Sequence, residues 1–228
     1  MTGAGPYPWH LALGTGLTVI AGFVDAIGYS HLRNLYLSFM SGNTTRIGSA
    51  LATYDVATIE VALGVVATFV LGAGLGALIG DAAAGKRLPV TCAVEVALFG
   101  LTFLLSAAGW APVALMPLSA AMGMQNTLHQ HVSGADLGKG FVTGSLVSAG
   151  ECLARAVRQR GAMRDFLLNI SSWLSFLVGV ALGAVVLGRY GLDHALLLGA
   201  LALAFLSVAT SRGEWAPPSA STADETRH

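Results

Sequence analysis

Charge is the first thing this sequence lacks: Asp, Glu, Lys and Arg make up 11% of its 228 residues, against roughly a quarter in ordinary soluble domains. That deficit, set beside a 54% hydrophobic content, excludes a soluble globular protein and indicates a membrane protein. Basic residues number twelve, balance the acidic ones, and nowhere cluster among aromatics, so nucleic acid is excluded as a partner. Cysteine is scarce too. Cys92 and Cys152 have no CxxC partner, and neither a disulfide nor a zinc site is implied. The first ten residues hold no Lys or Arg and no cleavage site closes a short apolar region, so the first helix is expected to serve as its own insertion signal. No HExxH, GxSxG, phosphate-binding loop or paired carboxylates occur; an enzyme is not expected, and no cofactor or metal is implied.

What is present is a stretch that occurs twice. A shift of 102 residues lays Phe39, Gly42, Gly48, Leu51 and Ala52 on Phe141, Gly144, Gly150, Leu153 and Ala154, with Ser41 on Thr143 and Asn43 on Ser145. Upstream, with one residue of slippage, Gly22 and Asp25 fall on Gly123 and Asn126; downstream, Phe69, Gly72 and Gly76 match Phe176, Gly179 and Gly183. The chain reads as two copies of one unit of about a hundred residues, the first at 1–108 and the second at 109–210, followed by a Ser-, Pro- and charge-rich tail, 211–228, expected to be disordered.

Six apolar runs can cross about 30 Å of hydrocarbon: 11–29, 58–80 and 89–108 in the first repeat, and 112–130, 166–188 and 192–210 in the second. Between the first and second run of each triplet lies the duplicated motif, with short helices expected at 39–52 and 141–154, too short and polar to cross alone. With the N-terminus inside, six spans place nine Lys and Arg in the cytoplasm and only Arg33, Arg46 and Arg189 outside, a stronger bias than eight spans would give. An odd number of crossings per repeat inverts the second copy. The fold class expected is therefore an all-α integral membrane protein of six transmembrane helices as two inverted three-helix repeats, each with a short re-entrant or interfacial helix. Both termini are expected in the cytoplasm.

Interrupted helices meeting at mid-membrane form the substrate sites of inverted-repeat transporters. Ser41 and Thr143 are read as N-caps, Gly42 and Gly144 as turn residues, and Asn43, Thr44 and Ser145 as side-chain donors and acceptors. If the two segments dip in from opposite faces, their N-termini converge on a solute; the alternative is a pair of amphipathic helices on the membrane surface with ordinary caps. Asp25, an acid inside an apolar run, is the candidate coupling residue. Its alternative is to reach the outer interface or to cap a neighbouring helix. Asn126 keeps its shape without the charge, and Gln125, His129 and His131 extend the polar end of that helix, as a proton relay or as an interfacial rim. Glu60 and Glu95 are read as interfacial, near helix ends, and Glu151 as a surface partner of Arg155. Gly72/Gly76 and Gly179/Gly183 are expected to bring the second helices of the two halves together.

GFVDAIGY followed by FMSGNTTRIGSALA, then GMQNTLHQHVSG followed by FVTGSLVSAGECLARA, resembles the YoaK family, also called the DUF1275 family, of bacterial multi-pass membrane proteins. The resemblance covers nearly the whole chain except the tail; Ser41 stands where that family often has Thr, which keeps the capping chemistry. It implies a bacterial inner-membrane location and names no substrate. The reading that follows is a small-solute transporter or channel, with the lipid bilayer, an unknown solute and a second copy of the chain as candidate partners. Its rival is a membrane scaffold or regulatory subunit without a pathway, which needs no polar residues facing its interior.

Overall fold

The computed structural model describes residues 8–83, 86–132, 141–158 and 163–211, whose regular secondary structure is all helical. Of the expected tail, 211–228, the first residue closes α7 and 212–228 lie outside the described residues, as does the segment 133–140 that precedes the second motif helix. The helices follow the apolar runs: α1 (Pro8–His31), α2 (Met40–Thr53), α3 (Val56–Ala82), α4 (Arg87–Ala107), α5 (Met116–Val132), α6 (Phe141–Arg158) and α7 (Met163–Ser211). Of these, Ala12–His31, Val56–Ala82, Arg87–Ala107 and Met163–Ala209 are long and apolar enough to cross a membrane.

A straight helix the length of α7 would reach about 74 Å at 1.5 Å per residue. It is broken at Gly191, whose φ of 81° and ψ of 179° only glycine adopts without strain. The two arms, α7a (163–190) and α7b (192–211), double back on each other along α1. Gly22 and Ala26 of α1 face Val180 and Gly183 of α7a, whereas Gly16, earlier in α1, faces Leu206 of α7b. α4 runs against α7b: Phe99 sits on Gly199, and the Ser207 hydroxyl donates to the Pro89 carbonyl at 3.2 Å.

Packing between the halves is crossed. A Cβ placed on Gly22 would meet the Phe176 carbonyl oxygen, and one on Gly123 would meet the Phe69 carbonyl oxygen. In return Gly179 receives the Val19 backbone and Gly72 the Ala120 backbone, while Gly183 lies on Phe23 and Gly76 on Met124. The paired glycines therefore do not join α3 to α7, as expected from their spacing. Each pair seats the first helix of the other half, α7a taking α1 and α3 taking α5, so that backbones approach within helix-contact distance. The same equivalent residues do the same job at both places. α1 and α5 themselves run antiparallel: the Gln125 amide donates to the Leu17 carbonyl, and Ser119, two turns earlier in α5, donates to the Leu37 carbonyl beyond the end of α1.

Ile27, Val65, Phe99, Leu118, Met122 and Leu203 from five helices form one buried cluster. Outward faces are apolar as well, with Leu71 70% and Leu78 67% exposed on α3 and Phe205 72% exposed on α7b. A chain with apolar flanks and polar residues inside is built for lipid rather than water.

α2 and α6 each pack on the second helix of their own half, α2 on α3 and α6 on α7. Among the described residues no substantial packing joins α2 to α6. At the α2–α3 corner Tyr54 takes a left-handed conformation (φ 55°), and Asp55 caps α3 by accepting from the Thr58 N–H at 3.1 Å and the Thr58 hydroxyl at 2.6 Å. Those two donors, led by the hydroxyl, hold the Asp55 carboxyl below its usual range. The cap is thus complete at neutral pH and is lost only as acid protonates it.

Candidate functional site

Residues 32–39 cross back over the end of α1 as non-helical backbone, and side chains from α1, α2 and α5 clamp them. Leu32, Leu35 and Leu37 are buried and anchor it in the core. Arg33 and Asn34 adopt positive φ (50° and 62°) so that the chain can turn. Gly28 makes room beneath, since a Cβ there would lie 2.7 Å from Leu37 Cγ.

Unpaired backbone groups at this depth would be costly, and side chains answer them one by one. Asp25 Oδ1 accepts from the Leu37 N–H at 2.8 Å and the Ser38 N–H at 2.6 Å, and Oδ2 accepts from the Ser38 hydroxyl at 2.8 Å. The Asn43 amide reads Tyr36 from both sides, accepting from its N–H at 2.8 Å and donating to its carbonyl at 2.7 Å. Arg46 donates to the Arg33 carbonyl at 2.8 Å, and Ser119 to the Leu37 carbonyl and, at 2.9 Å, to the Val65 carbonyl. Asp25 and Asn43 are 1% and 0% exposed, so both pairings run where water does not compete.

Beside this clamp lies a pocket of about 260 Å³, lined by Asp25, Tyr29, Ser30 and Tyr36 on one side and Phe176, Val180 and Ala184 of α7a on the other. Tyr29 and Tyr36 ring centroids are 5.5 Å apart, and Phe39 meets Tyr36 edge-on at 5.4 Å. Burial, and then the neighbouring Tyr29, push the Tyr36 phenol up, so that it stays a neutral donor. The pocket's wall is mainly apolar and aromatic, and the Asp25 carboxylate at its edge is already taken up by the Leu37 and Ser38 donors.

The expected site residues separate into groups. Asp25 and Asn43 come together on the 32–39 segment. Gly42 lies inside α2, not at a turn: a Cβ there would meet the Phe39 ring and, at 2.9 Å, the Tyr36 ring, so it is the floor of the aromatic group. Ser41 is exposed in the first turn of α2, whose N-cap is Phe39, and caps nothing. Thr44 is exposed and bonds back to the Met40 carbonyl at 2.9 Å. Thr143 likewise lies within α6, exposed, with Gly144 half-buried and Ser145 buried behind it. Gln125 is buried and ties α5 to α1 at Leu17, eight residues from Asp25. Asn126 bonds within its own helix, to the Met122 carbonyl at 2.8 Å. The side chains of His129 and His131 lie outside the described residues. Arg155 donates to Cys152 Sγ at 3.4 Å instead of pairing with Glu151.

Sequence reasoning missed Ser119, and it misplaced Glu95. That residue is not at a helix end: it lies well inside Arg87–Ala107 and is 0% exposed. The buried face of α4, Leu88, Cys92, Glu95, Phe99 and Thr102, has helical spacing and was the available signal.

Asn43 allows a direct check of the clamp. Asn43→Asp keeps an acceptor for the Tyr36 N–H but removes the donor to its carbonyl and brings a second carboxylate to the segment. A loss of about 2 kcal/mol or more is expected, read as thermal unfolding of the purified protein in detergent. A variant as stable as the parent would show that the Asn43 amide does not hold the segment.

Buried polar clamps inside an apolar, all-helical bundle define the class as a polytopic membrane protein of α-helical type. The chain belongs to the family described as Protein of unknown function (DUF1275), whose model matches residues 13–209. It is similar to the UPF0700 transmembrane protein RA0705 of Rhizobium meliloti (strain 1021), at 33% identity over 204 residues covering 87% of this chain and 85% of that one. No solved structure matches the chain significantly.

Proposed function

We propose that this protein is a small-solute transporter or channel of the bacterial inner membrane, built of six spans as two three-helix halves inserted in opposite orientations. In this reading α1, α3 and α4 are the spans of one half, and α5 with the two arms of α7 those of the other. Antiparallel α1 and α5, and the reciprocal seating of Gly22 on Phe176 and Gly123 on Phe69, support the inversion. The observation that carries the function is the polar interior. Asp25, Asn43, Glu95, Ser119, Gln125 and Ser145 are all buried within a bundle of apolar helices, and polar groups at such depth are costly unless they serve a path or a partner. Asp25, Asn43, Ser119 and Gln125 would serve a scaffold too, through the bonds they make, whereas a scaffold has no use for Glu95. Solute enters beside Asp25 and the tyrosines, and movement of α7a against α1 at Gly191 opens or shuts that pocket.

The saturation of Asp25 by three donors favours a second reading of that one residue, as the pin of the 32–39 segment rather than the coupling group. Purified protein in vesicles on a solid-supported membrane, challenged with jumps of small cationic and polar solutes, tests the function. Protein-dependent currents are expected for at least one class. Silence across cations, amines, sugars and amino acids would leave the scaffold reading.

Topology is checked on α3 alone. With the buried Cys92 and Cys152 replaced by alanine, a cysteine at Ala57 should react with a membrane-impermeant reagent in intact cells, and one at Lys86 only after the cells are opened. Ala57 is exposed in the first turn of α3 and Lys86 is exposed beyond its end. Labelling of position 86 from outside overturns the orientation.

A further inference from the structure

α4 buries a carboxyl group that nothing among the described residues answers. Glu95 is 0% exposed, and neither of its oxygens has a hydrogen-bond partner. Thr91 and Thr102 on the same helix are equally buried, and their hydroxyls are also unpartnered. Spacings of four and seven residues put all three on one face, along about 16 Å of the helix axis. One turn from Glu95, Cys92 packs with Leu13, Leu17 and Leu128; one turn the other way, the Phe99 ring lies on Gly199. The elements around α4 carry their titratable groups, among them Asp25 of α1, Glu60 and Asp81 of α3, His129 of α5 and Asp193 and His194 of α7, outside the apolar stretches that run alongside it. Residues 11–24 of α1, 61–80 of α3, 116–128 of α5 and 195–209 of α7 hold no Asp, Glu, Lys, Arg or His, which leaves the Cys92 thiol as the neighbouring titratable group.

The other buried polar residues have structural work. Asp25 holds a loop, Gln125 ties α5 to α1, and Ser119 binds two carbonyls. Glu95 joins nothing, and a leucine of similar size would pack there without the cost of burying a polar group. Stability does not account for it. An ionised carboxylate without counter-ion or donor is not sustained in such surroundings, so the group rests as the neutral acid. A metal cation would require several converging oxygens, and here one carboxyl stands between hydroxyls spread along the helix. A proton requires only one oxygen.

We propose that Glu95 is a proton-binding site in the core of the bundle, with the Thr91 and Thr102 hydroxyls marking on the same face the route by which water would reach it. The carboxylate takes a proton from hydronium arriving from one face, giving the acid and water, and returns it to water on the other. Water bridges the gaps between these groups, and hydroxyls suit it because each both donates and accepts. This deepens the transporter reading and rests on it for its purpose: the coupling ion is the proton, and its carrier is Glu95 rather than Asp25.

Infrared difference spectroscopy of the full chain in lipid nanodiscs, titrated between about pH 5 and 9, tests the site without any knowledge of the solute. A protonated-carboxyl band is expected that shifts in heavy water, vanishes in Glu95→Gln and Glu95→Leu, and survives in Asp25→Asn. Its absence from the parent protein, its persistence in both Glu95 variants, or its failure to exchange would overturn the proposal. Vesicles containing a pH-sensitive dye supply the second arm. The parent protein should dissipate an imposed pH gradient, and Glu95→Gln should fall to the rate of protein-free vesicles. Undiminished flux in Glu95→Gln overturns Glu95 as the carrier. An exchanging, Glu95-dependent band with no flux from the parent protein upholds the proton site and rejects transport.

Discussion

Gly123→Leu is expected to cost about 3 kcal/mol or more, at the upper end of overpacking penalties, and to leave little folded protein after extraction. A Cβ at Gly123 runs into the Phe69 carbonyl and lies 2.9 Å from the Ala73 nitrogen, both backbone atoms of α3 that cannot rotate away. Relief requires moving a whole helix. Gly22→Leu should behave alike in the other half, where the obstacles are the Phe176 carbonyl and, at 3.0 Å, the Val180 nitrogen. Gly74→Leu and Gly100→Leu serve as controls, because nothing lies within 4 Å of a Cβ at either site; changes within about 0.5 kcal/mol are expected there. Unfolding in mixed micelles gives all four values. Parity between Gly123→Leu and the controls would refute the crossed seating of the first helices.

At Asp25 two substitutions of similar size should part widely. Asp25→Asn can keep its Oδ1 facing the Leu37 and Ser38 N–H groups, while its amide donates to the Ser38 hydroxyl, which then turns acceptor. Only the charge assistance is lost, about 1 to 2 kcal/mol. Asp25→Leu leaves two buried N–H groups and a hydroxyl without acceptors, a loss of roughly 3 to 6 kcal/mol. The 32–39 segment should then become cleavable by protease in the folded protein. Equal stability of the two variants would mean that the carboxylate does not pin the segment.

Much of this was legible without a structure. The duplicated motif, the apolar runs and the burial of Asp25 all follow from residue spacing, because helical periodicity and a lone acid among apolar residues are local signals. What the acid binds is not local: its donors arrive from a segment twelve and thirteen residues on, after a turn made by two non-glycine residues in left-handed conformations. Ser41 looked like a cap because capping is read from residue type, yet α2 begins one residue earlier and Asn43 supplies the side chain that reaches back. Glycine pairs announce close approach without naming the partner, and four glycine-bearing helices offer several pairings. Glu95 was misread because its place near the start of an apolar run suggested an interface, whereas its face of α4 decides its surroundings.

The crossed seating also has a consequence for biosynthesis. α1 leaves the ribosome with Gly22 exposed, but its seat at Phe176 is made roughly 150 residues later, about 8 to 30 s at ordinary rates of elongation. α3 waits a shorter time for α5. Neither half can complete its own packing, so the nascent chain must hold its helices apart in lipid, or under the cover of the insertion machinery, until α7 closes the bundle.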